Sequence, residues 1–334
     1  MVGKRFISIG LIVLIFMSIL GGCEKSPSSE TASQKELFKI GITQLIEHPA
    51  LDSSRKGFID ALKSKGFKDG KNIDIDFQNA QGDIPTAEII GKNFVSQNKD
   101  LILAIATPSA QSAYNATKDI PILITAVTDP VKSGLVKAMD KSDTNVTGTS
   151  DAMPIDKQFH MIKKLIPKAK KVGILYNTSE INSEIQVNRA KKTANDLDLE
   201  IITTGVTNIN EVSQSLDALL NKVDVLYTPT DNLVASAMPL IFSKSIKKNI
   251  PIIGAEKAHV EGGALSTEGI DYYKLGHKTG LMAVEIIEGK NPKDMPIATL
   301  DDTQSIINLK VAKKLNIEIP KDILDSSIII EGGK

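Results

Sequence analysis

Small neutral hydrogen-bonding side chains collect at the ends of short apolar runs in this sequence. Thr43 and Gln44 close one such run, Thr107 and Ser109 another, and Thr125 and Thr128 a third. Asn177 with Ser179, and Thr228 with Thr230, do the same in the second half, where Glu180, Asp231 and Glu256 add carboxylates. Hydroxyls and the free N–H groups of helix N-termini favour an anionic group, and carboxylates favour a cation. Together they would suit a zwitterion, its carboxylate on the first half and its ammonium on the second. Some of these side chains are expected only to cap helices. Tyr176 and Tyr227, near two strand ends, could stack on an aromatic ring or serve only in sheet packing.

That is recognition chemistry, and the sequence asks for no other. It contains no GxGxxG after a strand, no GxxxxGK[ST], no GxSxG and no HExxH, so no cofactor, nucleotide or hydrolase signature is present. The four histidines, His48, His160, His259 and His277, lack metal-ligand spacing and read as surface or packing residues. The sequence therefore gives no reason to expect an enzyme, a metal or a cofactor.

The elements that must position these residues alternate strand and helix, the pattern of doubly wound parallel sheets. Leu101–Ala106 is a continuous apolar run of the kind a strand covered on both faces needs, and Thr107-Pro108-Ser109 offers an N-cap hydroxyl and a first-turn proline. Asp224–Ala235, DVLYTPTDNLVA, repeats this unit: an acidic residue, an apolar strand, then Thr-Pro-Thr-Asp opening a helix. Two such units predict two similar α/β lobes whose strand-end turns face each other across a cleft, where ligands of open α/β sheets bind. The first lobe is expected over 37–148 and the second over 149–275, with a segment at 276–334 crossing back between them. Asn145–Ser150 reads as the first crossing.

The chain starts differently. Lys4 and Arg5 precede an apolar stretch, Phe6–Ile19, that ends in Leu20-Gly21-Gly22-Cys23, and Cys23 is the only cysteine. Residues 1–22 are expected to be a lipoprotein signal peptide, Cys23 the lipidated mature N-terminus, and 23–36 a polar, serine-rich tether. The domain would then lie outside the cell membrane, anchored to its outer face. Forty basic and forty acidic residues give zero net charge, which argues against a nucleic-acid partner.

Several of these segments carry a family resemblance. Ile40-Gly41-Ile42-Thr43-Gln44, Glu47–Asp52, Ala106–Gln111, Val127–Pro130, Asn145–Gly148, Tyr176–Glu180, Thr228–Asn232 and Gly263–Ser266 resemble the substrate-binding lipoproteins of ABC importers in the tryptophan/tyrosine-binding group. The resemblance implies a two-lobed periplasmic-binding-protein fold, type I-like, that closes on its ligand as a monomer and docks on a membrane permease. It further implies an aromatic amino acid as ligand, contacted around Thr43, Gln44, Thr107, Ser109, Thr128, Asn177, Glu180, Asp231 and Glu256. An adhesin, or a ligand sensor for a membrane receptor, on the same scaffold are the alternatives.

Overall fold

The computed structural model describes residues 37–331; Cys23 and the segments expected to be signal and tether lie outside the described residues. In the first lobe, β1 (Phe38–Gln44), β2 (Ile73–Asn79), β3 (Leu101–Ile105), β4 (Ile122–Val127) and β5 (Val146–Ser150) alternate with α1 (Pro49–Ser64), α2 (Ile84–Ser96) and α3 (Thr107–Ala116). The second lobe begins with α4 (Ile155–Leu165) and β6 (Lys171–Asn177). It continues through α5 (Ile181–Asn195), β7 (Glu200–Val206), α6 (Ile209–Leu220), β8 (Val225–Thr228), α7 (Asn232–Ser236), α8 (Met238–Lys247), β9 (Ile252–Gly254), α9 (Lys257–Glu261) and β10 (Ser266–Gly269).

The chain then returns to the first lobe as α10 (Tyr272–Ile287) and β11 (Ile297–Ala298), and ends in the second with β12 (Gln304–Asn308), α11 (Leu309–Leu315), α12 (Lys321–Ser326) and β13 (Ile328–Ile330). The first sheet has the order β11-β5-β4-β3-β1-β2 and the second β13-β12-β10-β9-β8-β6-β7. Every ladder is parallel except β10–β12, which is antiparallel. The exception follows from connectivity: β10 runs toward the crossing region and β12 leaves it.

Three crossings therefore join the lobes, after Ser150, after Gly269 and after Ala298. The expected first crossing at Asn145–Ser150 is corrected, because Val146–Ser150 pairs with β4 and is fully buried in the first sheet. The return also comes before residue 276, since α10 already packs on α1.

Apolar runs became strands where both faces are covered. Leu101–Ile105 and Ile122–Val127 are buried throughout, packed among Ile40, Ile42, Phe58 and Phe94. Phe159, Ile174, Val225, Tyr227 and Ile253 form one face of the second lobe's core, and Leu216, Leu219, Leu226 and Ile241 the other. Between α10 and α1 the approach is so close that a Cβ on Gly276 would lie 1.8 Å from the Ser54 carbonyl oxygen, and one on Gly280 2.5 Å from that of Phe58. Glycine alone permits that contact.

Candidate functional site

The carboxyl ends of the central strands in both sheets face one another, and a small cavity of about 10 Å³, room for about one water molecule, lies between them. The first lobe contributes His48, Leu51, Ala126 and Thr128 to its wall, and the second lobe Asn182, Thr230, Asp231, Asn232, Ala235 and Glu256. Asp151 and Tyr272, both at crossings, complete it. Thr128, Thr230, Asp231 and Glu256 are thus the residues expected from sequence that reach the wall. No lining residue is Lys or Arg.

The turn after β3 is strained. Ala106 takes φ +79, ψ +153, and Ala126, at the end of β4, takes φ +56. Left-handed backbone at a residue with a Cβ costs on the order of 1–3 kcal/mol and persists where the surroundings enforce it, commonly at binding sites. Thr107 is accordingly the first helical residue of α3 rather than its cap, and its side chain caps nothing. Its Oγ1, together with Thr43 Oγ1 and Ser109 Oγ, is buried without a hydrogen-bond partner. Buried hydroxyls are normally paired, so these three are first-lobe side chains whose hydrogen-bonding capacity is left unused within the protein. Gln44 differs: its Nε2 donates to Ile46 O and Asp52 Oδ1, both at 2.9 Å, and its Oε1 accepts from Arg55 at 3.1 Å.

On the second lobe most expected carboxylates are engaged internally. Asp231 Oδ1 accepts from Val234 N at 2.9 Å, capping α7, and its Oδ2 accepts from Asn177 N at 2.5 Å. Glu180 accepts from Asn177 Nδ2 at 3.0 Å, from Asn182 Nδ2 at 3.2 Å and from Asn232 Nδ2. Burial and the neighbouring Asp231 push the Glu180 carboxyl up to about 7, and burial also raises Asp231. Glu256 is pushed up to about 8, by burial first and by the charge of Asp151 second. One oxygen of each, Glu256 Oε1 and Asp151 Oδ1, lacks a hydrogen-bond partner; Glu256 Oε1 lies 3.3 Å from His259 Nε2, but without hydrogen-bond geometry.

The tyrosines divide from the cavity. Tyr227 is wholly buried in the second lobe's core, where its ring lies 5.1 Å from that of Phe159 and its OH donates to Gln158 Oε1 at 2.6 Å. Strand alternation turns that side chain into the sheet face rather than toward the cleft. Tyr176 packs on the edge of the same core. Of the histidines expected at the surface or in packing, His259 is a buried packing residue whose Nδ1 lies 3.0 Å from Thr228 Oγ1, while His48 sits instead at the cleft. His48 lines the cavity with Nε2 3.4 Å from Asn232 Oδ1 across the lobes, and His259 stands beside Glu256. Burial holds His48 down to about 4, and burial with the nearby His48 holds His259 down to about 3, so both are neutral.

Other contacts span the lobes. Thr128 Oγ1 lies 3.4 Å from Thr230 Oγ1 and 3.5 Å from Gln186 Nε2, and Arg189 Nη2 of α5 donates to Asp129 Oδ2 at 2.6 Å.

A strand-end cleft between two parallel sheets joined by three crossings agrees with the comparisons. The profile of the family described as ABC transporter substrate binding protein matches residues 39–328. The chain belongs to that family. It is 50% identical over 321 residues to a tyrosine-binding protein of Clostridioides difficile strain R20291, covering 94% of this chain and 93% of the relative. Among solved structures it is similar to an ABC domain from Streptococcus pneumonia in complex with L-Trp (38% identity, TM-score 0.86, 88% of this chain and 100% of that one). It is also similar to a ligand-free, open substrate-binding protein with adhesive properties from Clostridium difficile (53% identity, TM-score 0.68, 89% and 100%). Identity and TM-score rank these two in opposite order. The overall TM-score is higher against the L-Trp complex than against the ligand-free, open structure. Substrate-binding proteins of ABC importers are extracytoplasmic, and no helix among the described residues is long and apolar enough to cross a membrane.

Proposed function

We propose that this substrate-binding protein captures an aromatic amino acid, tyrosine or tryptophan, between its lobes and delivers it to a membrane permease. The observation that supports the reading is that both lobes keep buried groups without hydrogen-bond partners at their strand ends: the hydroxyls of Thr43, Thr107 and Ser109 in the first lobe and a carboxylate oxygen of Glu256 in the second. The former, beside the α3 N-terminus, receive the ligand's carboxylate, and the latter its ammonium. Thr128, Asn177, Glu180 and Asp231 brace the ligand-facing turns. The side chain is aromatic by analogy with the tyrosine-binding relative and the L-Trp complex. Tyr227 takes no part, being committed to the core.

The binding cycle is capture without chemistry. A ligand bridging both lobes stabilises the closed arrangement by its differential affinity for it, and closure forms the surface a permease reads. Residues 1–22 serve as signal peptide and Cys23 carries the lipid that anchors the monomer outside the membrane. Replacing Cys23 by Ala should abolish palmitate incorporation and release the protein. A second reading, surface adhesion, is favoured by the adhesive relative; attachment of cells lacking this protein would be halved or lower if it holds.

The direct test is calorimetric titration of the purified protein, unfolded and refolded to strip ligand, with tyrosine, tryptophan, phenylalanine, leucine and glucose. One-to-one binding confined to aromatic amino acids is expected. Binding of none by a folded sample refutes the ligand class.

A further inference from the structure

Two carboxylates meet where the lobes close. Asp151 directly follows β5 at the first crossing, and Glu256 precedes α9 on the second lobe; each is 2% exposed and both line the cavity. Tyr272, the first residue of α10 at the second crossing, donates its hydroxyl proton to Asp151 Oδ2 at 2.7 Å, and Glu256 lines the same cavity wall. A phenol has one proton to give. With Asp151 taking it, none is left for Glu256, which stands as a second anion beside the first unless it carries a proton of its own. Asp151 Oδ1 and Glu256 Oε1 remain without hydrogen-bond partners.

The surroundings supply no compensating cation. His48, on the turn before α1, and His259, on α9, are held neutral by burial. Asp231, before α7, and Glu180, before α5, add carboxyls to the same end of the second lobe. Arg189 of α5 acts on Asp151 from a distance, and its guanidinium is bound to Asp129.

We propose that Asp151 and Glu256 form a charge gate: the lobes shut only with a cation between these carboxylates, the ligand's ammonium in the loaded protein and a proton in its absence. The ammonium half rests on the amino-acid reading above; the proton half does not. In the open arrangement the carboxyls separate, regain water and ionise in the ordinary range. Closure raises Glu256 toward 8. A raised value in the closed form favours closure at low pH and loses that effect as pH rises through it. Empty protein should therefore close progressively from about pH 8 toward pH 5, whereas an ammonium makes closure independent of pH over that window.

The test is small-angle scattering of ligand-stripped protein from about pH 5 to 9, alone, with tyrosine, and with 3-(4-hydroxyphenyl)propionate, which lacks only the amine. The radius of gyration of the empty protein should shrink as pH falls. Tyrosine should close it at every pH, and the amine-free acid should fail to close it near pH 8.5. Glu256→Gln should close without ligand at all pH values, and should bind tyrosine at least about tenfold more weakly, one charged hydrogen bond having been lost. Should that variant misfold by circular dichroism, Asp151→Asn, which removes the like charge but leaves Glu256 ionisable, should extend closure of the empty protein to higher pH than wild type. A pH-independent radius of the empty protein, with variants matching wild type, overturns the gate. If no amino acid binds yet the empty protein closes with falling pH, the ligand reading fails and the gate stands on its proton half.

Discussion

Arg189→Ala should weaken amino-acid binding without weakening the lobes. The guanidinium reaches Asp129 at 2.6 Å from the opposite lobe, with side-chain exposures of 35% and 14%. Fully exposed pairs contribute about 0.2–1 kcal/mol, and close desolvated interfacial pairs about 1.5 kcal/mol or more. A guanidinium one-third exposed to water belongs near the upper end of the first range, about 1 kcal/mol. Lys132 lies 3.6 Å from the same carboxylate oxygen, so Asp129 keeps a cation when Arg189 is removed and no buried charge is stranded. Since every 1.4 kcal/mol is tenfold in affinity, Kd for tyrosine should rise about fivefold. The Arg189–Asp129 pair forms only when the lobes meet, so the melting temperature of ligand-free protein near pH 8.5, where the gate proposed above holds it open, should barely move. Raising salt from about 0.05 to 0.5 M should weaken wild-type binding and leave the variant nearly flat. A double-mutant cycle with Asp129→Asn isolates the coupling. A coupling within about 0.3 kcal/mol of zero, or an equal loss of stability in empty protein, would refute the assignment of this pair to closure.

Two further outcomes follow from the packing. Tyr227→Phe leaves Gln158 Oε1 buried without its 2.6 Å donor, so unfolding should lose about 1–3 kcal/mol in denaturant titration while tyrosine affinity stays within about twofold. A large affinity loss would instead return Tyr227 to the binding site. Gly276→Ala would drive a Cβ against the Ser54 carbonyl and push α10 off α1, so about 3 kcal/mol or more of stability should disappear, read as a lower unfolding midpoint.

The fold was legible because burial on both faces leaves a mark in sequence. Leu101–Ile105 and Val225–Thr228 are buried at every position, and each is followed by the small residues that open a helix. The strand-end rule then brought Thr128, Thr230, Asp231 and Glu256 to the cavity. It could not find Asp151, Tyr272 or His48. The first two stand at crossings some 120 residues apart, and only closure of two separate sheets brings the Tyr272 hydroxyl to the Asp151 carboxylate. His48 precedes a helix as an ordinary turn residue would, and its place in the wall depends on Asn232 arriving from the other lobe. Tyr227 was misleading for a local reason: proximity to a strand end fixes a residue's height in the sheet, but the pleat decides which way it points.

The return of α10 and β11 to the first lobe bears on how the chain is made. The first lobe begins at residue 38, yet the helix that covers α1 and the strand that finishes its sheet arrive only with residues 272–298. The second lobe in turn waits for β12 and β13. Neither lobe can complete its core while the chain is still emerging: a fragment ending before Tyr272 leaves bare the face of α1 that α10 covers, and one ending before Ile297 lacks the last strand of the first sheet. Such dependence on distant contacts slows folding and makes it a property of the whole chain rather than of successive domains. A chain-terminating lesion late in the gene would therefore be as damaging to the N-terminal half as one within it.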